Sequence, residues 1–303
     1  MEHGNSLCIS FSGITVRFRF PGAVPPSKEL APLVCEDPGA VDETYEICLI
    51  KNPLSLPGDP VYTYQDIQIY PTEQGWLRIY TSLIARDGCQ VACLLRPDGN
   101  NKLFYPASMW DFFSQEFHCL HLLGGEALLI KYNAFLLHSS VVRINGKMVL
   151  FSGPSGAGKS TQAELWSQYL GAEIINGDRC VVMEKDGGFF GGGSPWCGTS
   201  GIRRKEIAPI AGIFLVHHAA ENQVRKLGIE AFTPLFSQIT VNCWDRPMME
   251  KLSSLFIGML DAVPVYRLDC RPDEEAVRLV YDTLFGKEQT PCTPREPRIF
   301  GSF

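Results

Sequence analysis

Three features that mark particular classes of protein are missing from this sequence. No window approaches the ~18 to 20 uncharged apolar residues that a membrane-spanning helix needs. The first residues, MEHGNSLCISFSG, lack the basic start and the apolar stretch of a signal peptide. We therefore expect a soluble, cytoplasmic protein with no membrane partner.

The third missing feature is a long run of Lys and Arg. The chain carries 27 basic and 33 acidic residues, which gives a net charge of −6. A broad surface that neutralises nucleic-acid phosphates needs clustered positive charge. We therefore expect no nucleic-acid partner, while a local basic cluster stays open.

Cysteine is plentiful, but no metal or disulfide pattern accompanies it. The eleven cysteines are odd in number, scattered, and include no CxxC pair, which favours reduced thiols in a cytoplasm. Cys89 and Cys93 are close in sequence, yet no second pair completes a zinc set. The cysteines therefore disfavour a structural zinc site.

The length of 303 residues suits two domains at the usual ~150 residues each. Residues 1–120 are expected to form a β-rich domain, because short alternating runs such as residues 14–20 are separated by Pro and Gly clusters. Residues 121–286 are expected to form an α/β domain, in which apolar strands alternate with helical stretches. The Pro-rich residues 287–303 are expected to form a loose tail.

Several elements of the second domain can be predicted individually. Residues 126–137 are almost continuously apolar, which favours one buried helix. Residues 141–144 and 147–151 flank Asn145-Gly146, a dipeptide suited to the positive φ angles of a tight hairpin turn. Asp273 has the side chain of an N-cap at the last helix. Helices are expected at residues 160–170, 247–260 and 273–284.

The strongest chemical signal follows the strand at residues 148–152. The run GPSGAGKST satisfies the spacing G-x-x-x-x-G-K-[ST] of a Walker A loop. Glycines let backbone N–H groups converge on phosphate oxygens, and the helix starting at Lys159 directs its positive end to the same point. Lys159 is expected to reach the β and γ phosphates. The pattern predicts an ATP site at Gly153, Ser155, Gly156, Ala157, Gly158, Lys159, Ser160 and Thr161.

Mg²⁺ would need protein oxygens beside the phosphates. The Ser160 hydroxyl is the first candidate ligand. Asp178 is the second, because the run IINGDR ends an apolar strand, and a carboxylate at the end of a neighbouring strand can face the loop. In the alternative that stays open, Asp178 is only a turn residue of Asn-Gly-Asp.

These residues together resemble a known family. The loop is preceded by LHSS at residues 137–140 and by the Asn-Gly hairpin, and it is followed by Gly177-Asp178-Arg179. The arrangement resembles the catalytic domain of HPr kinase/phosphorylase and, more distantly, the nucleotide domain of phosphoenolpyruvate carboxykinase. The resemblance covers about residues 130–285, including GTSGIRRKEIAPIA at residues 198–211.

The resemblance implies an HPr kinase-like P-loop fold and a kinase that transfers the γ-phosphoryl group of ATP, with Mg²⁺, to a hydroxyl. In that family the acceptor is a serine of a protein, and two adjacent aspartates serve Mg²⁺ and act as base. This chain has Gly177-Asp178 at the matching positions. The base is therefore either Asp178, in both roles, or His138, since imidazole suits proton transfer near neutral pH. A purely structural role for His138 stays open.

Three functions remain open at this stage. The expected one is transfer to a serine hydroxyl of a protein or peptide partner. The second is transfer to a small-molecule hydroxyl such as that of free serine, and the third is a non-catalytic nucleotide sensor, which the missing aspartate favours. Whether the chain forms a homo-oligomer is also open.

Other charged and imidazole side chains are secondary candidates. Residues 203–205, Arg-Arg-Lys, are expected either to stabilise a transferring phosphoryl group or to form a solvated basic end. His217 and His218 are expected to be structural, because neighbours on a strand point to opposite faces. Arg267 and Arg271 are further candidates to approach the nucleotide.

Overall fold

The computed structural model describes residues 5–23, 30–81, 90–111, 122–241 and 244–286. The chain forms two compact units, residues 1–132 with 242–249 and residues 133–241 with 250–303. Each unit contains one large β-sheet, so the protein is a mixed α/β protein with two large sheets. The expected domain boundary at residues 120/121 and the expected tail at residues 287–303 lie outside the described residues.

In the described part of the first unit, eight strands form the sheet, and the run predicted at residues 14–20 is confirmed as one of them. Their bounds are β1 Ser6–Phe11, β2 Ile14–Arg19, β3 Glu43–Ile50, β4 Tyr62–Tyr64, β5 Ile67–Thr72, β6 Gly75–Tyr80, β7 Val91–Leu95 and β8 Asn100–Pro106. The order across the sheet is β1-β2-β3-β8-β7-β6-β5-β4. The pairs β2–β3 and β3–β8 are parallel, and the other neighbours are antiparallel.

A buried ion pair connects this sheet to an α-helix of the first unit. Arg78 on β6 donates to Glu126 on helix α1, Gly125–Lys131. The two side chains are only 2% and 7% exposed. Burial by itself lowers the pKa of Arg78, but the Glu126 carboxylate raises it above its ordinary value. The pair is therefore ionised, and it holds α1 on the sheet.

Among its described residues, the second unit contains nine strands. Their bounds are β9 Ala134–Ile144, β10 Lys147–Ser152, β11 Glu173–Asn176, β12 Arg179–Lys185, β13 Gly188–Gly192, β14 Ile207–His218, β15 Gln223–Lys226, β16 Ile239–Thr240 and β17 Val265–Cys270. The pairings β10–β9, β9–β12, β12–β13, β13–β14 and β14–β10 close a ring of five strands. Gly191 on β13 keeps the ring tight, since a Cβ there would lie 3.3 Å from side-chain atoms of Met148, Leu150 and Ile210.

The helix predicted at residues 126–137 is wrong beyond residue 131. Helix α1 ends at Lys131, Asn133 adopts a left-handed φ of 55°, and β9 begins at Ala134. A continuous apolar run is typical of a buried strand as well as of a buried helix. Pairing with β12 decides the outcome, because it satisfies the backbone of residues 134–138 in a sheet.

The remaining predicted elements of this part of the chain are confirmed. Asn145 and Gly146 join β9 to β10 with φ angles of 50° and 72°. Asp273 caps the last helix, where its side chain accepts from the N–H of Ala276. The helices are α2 Lys159–Leu170, α3 Phe232–Phe236, α4 Arg246–Ala262, whose first four residues belong to the first unit, and α5 Glu274–Phe285.

Strands β10 and β14 run in parallel, and Ser152 lies opposite Leu215. Residues 148–152 are buried without interruption, as expected for a strand covered on both faces. Trp166 on α2 packs edge-on against Phe151 of β10, with ring centroids 5.6 Å apart. This packing fixes the start of α2 beside the carboxyl ends of both strands. In the part of the chain that the structure describes, no helix combines the length and hydropathy needed to cross a bilayer.

Candidate functional site

A glycine-rich loop at residues 153–158 connects β10 to α2. Gly153, Gly156 and Gly158 have φ angles of 143°, 79° and 96°, values that side chains with a Cβ rarely adopt. Gly153 also lies close to β14, because a Cβ there would be 3.3 Å from the carbonyl oxygen of Val216. Residues 154–156 are exposed at the tip. The glycines therefore allow a compact turn directly beside β14.

Lys159, the first residue of α2, folds back on this loop. Its Nζ donates to the carbonyl oxygens of Gly153 and Pro154, both at 2.9 Å. The residue is only 7% exposed. Burial lowers the pKa of Lys159, while nearby Asp178 opposes that shift. The ammonium group thus lies inside the loop, within the electrostatic reach of Asp178.

The start of α2 also offers backbone donors. The first turn of any α-helix has N–H groups without intrahelical partners, and in α2 that turn includes Lys159, Ser160 and Thr161. Ser160 and Thr161 are exposed. The Ser160 hydroxyl donates to the carbonyl oxygen of Gly177 at 3.4 Å. This contact places the first turn of α2 beside the turn at residues 176–178.

Asn176 builds that second turn. Its side chain is fully buried, and its Nδ2 donates to the carbonyl oxygens of Ser194 and Trp196, each at 3.1 Å. Its Oδ1 accepts from the N–H groups of Asp178 and Arg179 at 2.9 and 2.8 Å. The side-chain hydrogen bonds that stabilise this turn therefore come from Asn176, and the side chain of Asp178 is not needed for them.

The Asp178 carboxylate is engaged by two nitrogen donors. His138 Nε2 lies 3.1 Å from Oδ1, and Arg179 Nε lies 3.1 Å from Oδ2. The hydrogen bond from His138 lowers the pKa of Asp178, and the positive charge of Arg179 lowers it further. Asp178 is 29% exposed and His138 21% exposed. An ionised carboxylate and an imidazole therefore form a contact that solvent can reach.

Strand β9 connects the two turns. Ser140 Oγ donates to the carbonyl oxygen of Lys159 at 2.6 Å. One residue earlier on β9, the N–H of Ser139 donates to the carbonyl oxygen of Asp178 at 3.0 Å. The predicted residues Lys159, Ser160, Asp178 and His138 are thus brought together around one end of β10.

Gly177 leaves no room for a second carboxylate at this turn. A Cβ at Gly177 would overlap Ser200 Oγ and lie 2.5 Å from Ser200 Cβ. Ser200 is held in that place because its hydroxyl donates to the carbonyl oxygen of Cys197 at 2.7 Å. The turn therefore has space for the Asp178 side chain alone.

The basic residues 203–205 are partly engaged away from the loop. Arg203 Nη2 donates to Cys197 Sγ at 2.8 Å, and Arg204 forms an ion pair with Glu173. Lys205 is exposed. Because Arg203 contacts Cys197 and Arg204 contacts Glu173, the solvated basic end fits these residues better than a phosphoryl clamp.

Arg267 and Arg271 are also held by carboxylates. Arg267 pairs with Asp269 at 2.8 Å, and Arg271 pairs with Asp273 at 2.8 Å. Their interactions lie within or directly after β17. Both guanidinium groups therefore contact carboxylates and not the glycine-rich loop at residues 153–158.

One residue of the site was not predicted from the sequence. His218 Nε2 lies 2.9 Å from the carbonyl oxygen of Gly156, and its ring lies over Gly158, since a Cβ there would be 3.4 Å from His218 Cε1. The adjacent His217 contacts its own strand, through Nδ1 and the carbonyl oxygen of Leu215 at 3.1 Å. Only the parallel pairing of β14 with β10 reveals that His218 reaches the loop.

The metal-binding capacity of the site is limited. Over the residues the structure describes, no three His, Cys, Asp or Glu side chains form a group that could hold a metal ion. Ser160 and Asp178 together offer a hydroxyl and a carboxylate. Such a pair suits Mg²⁺ only when phosphate oxygens and water complete its shell.

The chain was compared with protein families, with curated proteins and with solved structures. No family model matches the chain, and no curated protein matches its sequence. Among solved structures, the chain is similar to an HPr(Ser) kinase/phosphatase from Coxiella burnetii, with 12% identity and a TM-score of 0.28. That match covers 49% of this chain and 87% of the other. The likeness is too weak to assign a fold family or an activity.

Proposed function

We propose that this chain is an ATP- and Mg²⁺-dependent phosphotransferase that moves the γ-phosphoryl group to a hydroxyl, namely a serine of a protein or peptide. The observation that carries the proposal is the 3.1 Å contact of His138 with Asp178, at the turn whose Gly177 carbonyl accepts from Ser160. It groups an imidazole, a carboxylate and the first turn of α2 around the glycine-rich loop. These are the parts that phosphoryl transfer requires.

The loop fits a chain of phosphates. Its carbonyl oxygens at Gly153, Pro154 and Gly156 are covered by Lys159 and His218, so they do not repel an anion. The first turn of α2 offers N–H groups and the positive end of the helix dipole. We assign the phosphates to this loop. Lys159 has three N–H donors and uses two of them on the carbonyl oxygens of Gly153 and Pro154, so the third would contact a phosphate while both carbonyls stay covered.

The donor set beside the loop fits Mg²⁺, a hard cation that prefers oxygen ligands. Ser160 and Asp178 would hold the ion, which would neutralise charge on the phosphate oxygens. Oδ1 of Asp178 accepts a hydrogen bond from His138 and Oδ2 forms an ion pair with Arg179, so each oxygen has one protein partner and a lone pair for the cation. Arg179 keeps the carboxylate oriented toward this position.

His138 is the base in this proposal. The ionised Asp178 accepts a hydrogen bond, so the proton of His138 lies on Nε2, and Nδ1 of the neutral ring is the basic nitrogen. Asp178, whose pKa is lowered, is a weak base but a good orienting group for the imidazole. His138 Nδ1 would accept the proton of the attacking hydroxyl as the phosphoryl group is transferred.

The test is a transfer assay on the whole chain. The purified protein is incubated with Mg²⁺, γ-labelled ATP and a soluble cell extract, and macromolecules are then separated from metabolites. We expect label in the macromolecular fraction with the wild-type chain. Lys159→Ala should abolish it, and His138→Gln should lower the rate by about 10²-fold or more, as for loss of a general base.

Label found only among metabolites would move the acceptor to a small molecule. An unchanged rate in Lys159→Ala would show that another protein is responsible. Folding of each variant is checked by its thermal unfolding midpoint, so that lost transfer is not confused with lost structure.

A nucleotide sensor is the second candidate, because Ser200 fills the space beside Gly177 and restricts the turn to one carboxylate. A sensor would bind Mg²⁺ and ATP at the same loop without transferring the γ-phosphoryl group. Saturable ATP binding that Lys159→Ala removes, combined with no label transfer to any fraction, would favour the sensor.

A further inference from the structure

The peptide unit between Gly156 and Ala157 is held at both of its ends. Its carbonyl oxygen lies 2.9 Å from His218 Nε2, and its N–H donates to the carbonyl oxygen of Pro154 at 3.2 Å. A carbonyl oxygen can only accept, so Nε2 of His218 carries the hydrogen of this bond. Because a peptide unit is planar, two anchored ends fix the orientation of the whole plane.

The chain before this unit is easily rotated. Gly156, whose Cα precedes the unit, has a left-handed φ angle of 79°, and glycine occupies alternative backbone regions at little steric cost. Without an anchor, the 156–157 peptide could turn its carbonyl oxygen toward the outside of the loop. In that orientation the carbonyl oxygen would repel an anion at the place where the neighbouring N–H groups would otherwise bind one.

His218 is well placed to prevent this rotation. It is the last residue of β14, which pairs with β10 immediately before the loop. Its ring also covers Gly158, with Cε1 3.4 Å from where a Cβ of that glycine would be. The imidazole therefore contacts the loop by a hydrogen bond at Gly156 and by packing at Gly158.

We propose that His218 is a positioning residue for the phosphate chain: it keeps the loop at residues 153–158 in the conformation that presents N–H groups to phosphates, and so sets nucleotide affinity. The inference rests on the proposed function, since it assumes that phosphates bind at this loop. His218 acts through Gly156 and does not itself touch the phosphates. Its contribution should be found in binding rather than in the transfer step.

The test uses isothermal titration of the full chain with ADP in the presence of Mg²⁺. His218→Ala should weaken ADP binding by roughly three- to tenfold, the effect of one hydrogen bond of ordinary strength. His218→Gln should recover most of the affinity, because the amide Nε2 of Gln can donate from a similar distance. His217→Ala is the matched control and should bind ADP as the wild type does, since His217 contacts its own strand.

Two further readouts separate positioning from general stability. The thermal unfolding midpoint of His218→Ala should equal that of His217→Ala within error. In the transfer assay, His218→Ala should raise the KM for ATP with kcat little changed, because the base and the carboxylate remain in place.

The failures of the two proposals can be distinguished. If the wild type binds ADP and Lys159→Ala does not, equal affinity of His218→Ala and wild type would overturn the role of His218 alone. Failure of His218→Gln to recover affinity would also overturn it, since a donor at that position would then be irrelevant. No ADP binding by the wild type would overturn both proposals.

Discussion

Gly177 shows how one residue determines the number of carboxylates at the site. A Cβ at this position would overlap Ser200, which is itself fixed to Cys197. We predict that Gly177→Ala lowers the free energy of unfolding by about 1–3 kcal/mol, the usual cost of overpacking. In a Ser200→Gly background the same change should cost much less. Urea unfolding of the wild type, the two single variants and the double variant gives the coupling energy between the two positions. Equal costs of Gly177→Ala in both backgrounds would contradict this packing.

Asn176 supports the site through its buried amide. It accepts from two N–H groups and donates to carbonyl oxygens of two other residues. Asn176→Ala would leave buried polar groups unpaired, so we expect a loss of about 2–4 kcal/mol in stability. We also expect weaker Mg²⁺-dependent transfer, because Asp178 is no longer held in place.

The control for that prediction is Ser167→Ala, on an exposed position of α2. It should change the free energy of unfolding by no more than about 0.5 kcal/mol. A loss of stability in Asn176→Ala no larger than in the control would show that the turn does not depend on this amide.

The sequence predicts some site residues far better than others. Lys159 and Ser160 follow from the loop motif, because the spacing itself encodes their positions at the start of a helix. Asp178 and His138 follow only as candidates, since their contact depends on the pairing of β9 with β12. His218 could not be predicted as a loop contact, because its target is set by the parallel register of β14 and β10.

At the scale of elements, the N-cap of α5 is a local determinant of stability. Arg271 lowers the pKa of Asp273, and the N–H of Ala276 lowers it further. Asp273 therefore stabilises the fold above the ordinary Asp pKa of ~3.9, and this contribution is lost as the pH falls through the lower folded value. We predict that Asp273→Ala costs about 1 kcal/mol at pH 7.

Asp273→Asn is the matched variant, since it keeps a cap oxygen and removes the charge. Urea unfolding at pH 7 and at pH 3 should show the difference between wild type and Asp273→Asn shrinking at the lower pH. A difference that grew on acidification would contradict the assigned direction of the pKa shift.

The contact between β6 and α1 is a second determinant at this scale. Arg78 and Glu126 are buried together, and removing one partner leaves an unpaired buried charge. We predict a loss of about 3–5 kcal/mol for Glu126→Leu alone. Arg78→Met with Glu126→Leu should be closer to wild type, as measured by urea unfolding, because both charges are then gone. A double variant no more stable than the single one would contradict this interpretation.

Elements differ in how far local sequence determines them. Helix α5 was predictable because its cap and its apolar period agree. The conformation of residues 132–137 could not be predicted, because a buried apolar run has the same pattern in a helix and in a central strand. The choice there depends on β12, more than forty residues later in the chain, and on the left-handed Asn133.

At the scale of the whole molecule, the sequence predicts a β-rich first part and an α/β second part, and the structure is a mixed α/β protein with two large sheets. The ring β10–β9–β12–β13–β14 could not be predicted. It arises because β9 and β14 are long enough to pair with different strands at their two ends. These two strands both pair with β10, and they place His138 and His218 beside the end of β10 where the loop begins.

The central claim is that a nucleotide triphosphate binds where the loop, the start of α2 and the turn at residues 176–178 meet. Hydrogen–deuterium exchange measured by mass spectrometry, with and without Mg²⁺ and a non-hydrolysable ATP analogue, tests it without knowledge of the acceptor. We predict slower exchange in residues 153–161 and 176–180 of the wild type, no change in β2, and no protection in Lys159→Ala. Protection confined to other segments, or the same protection in Lys159→Ala, would contradict the account.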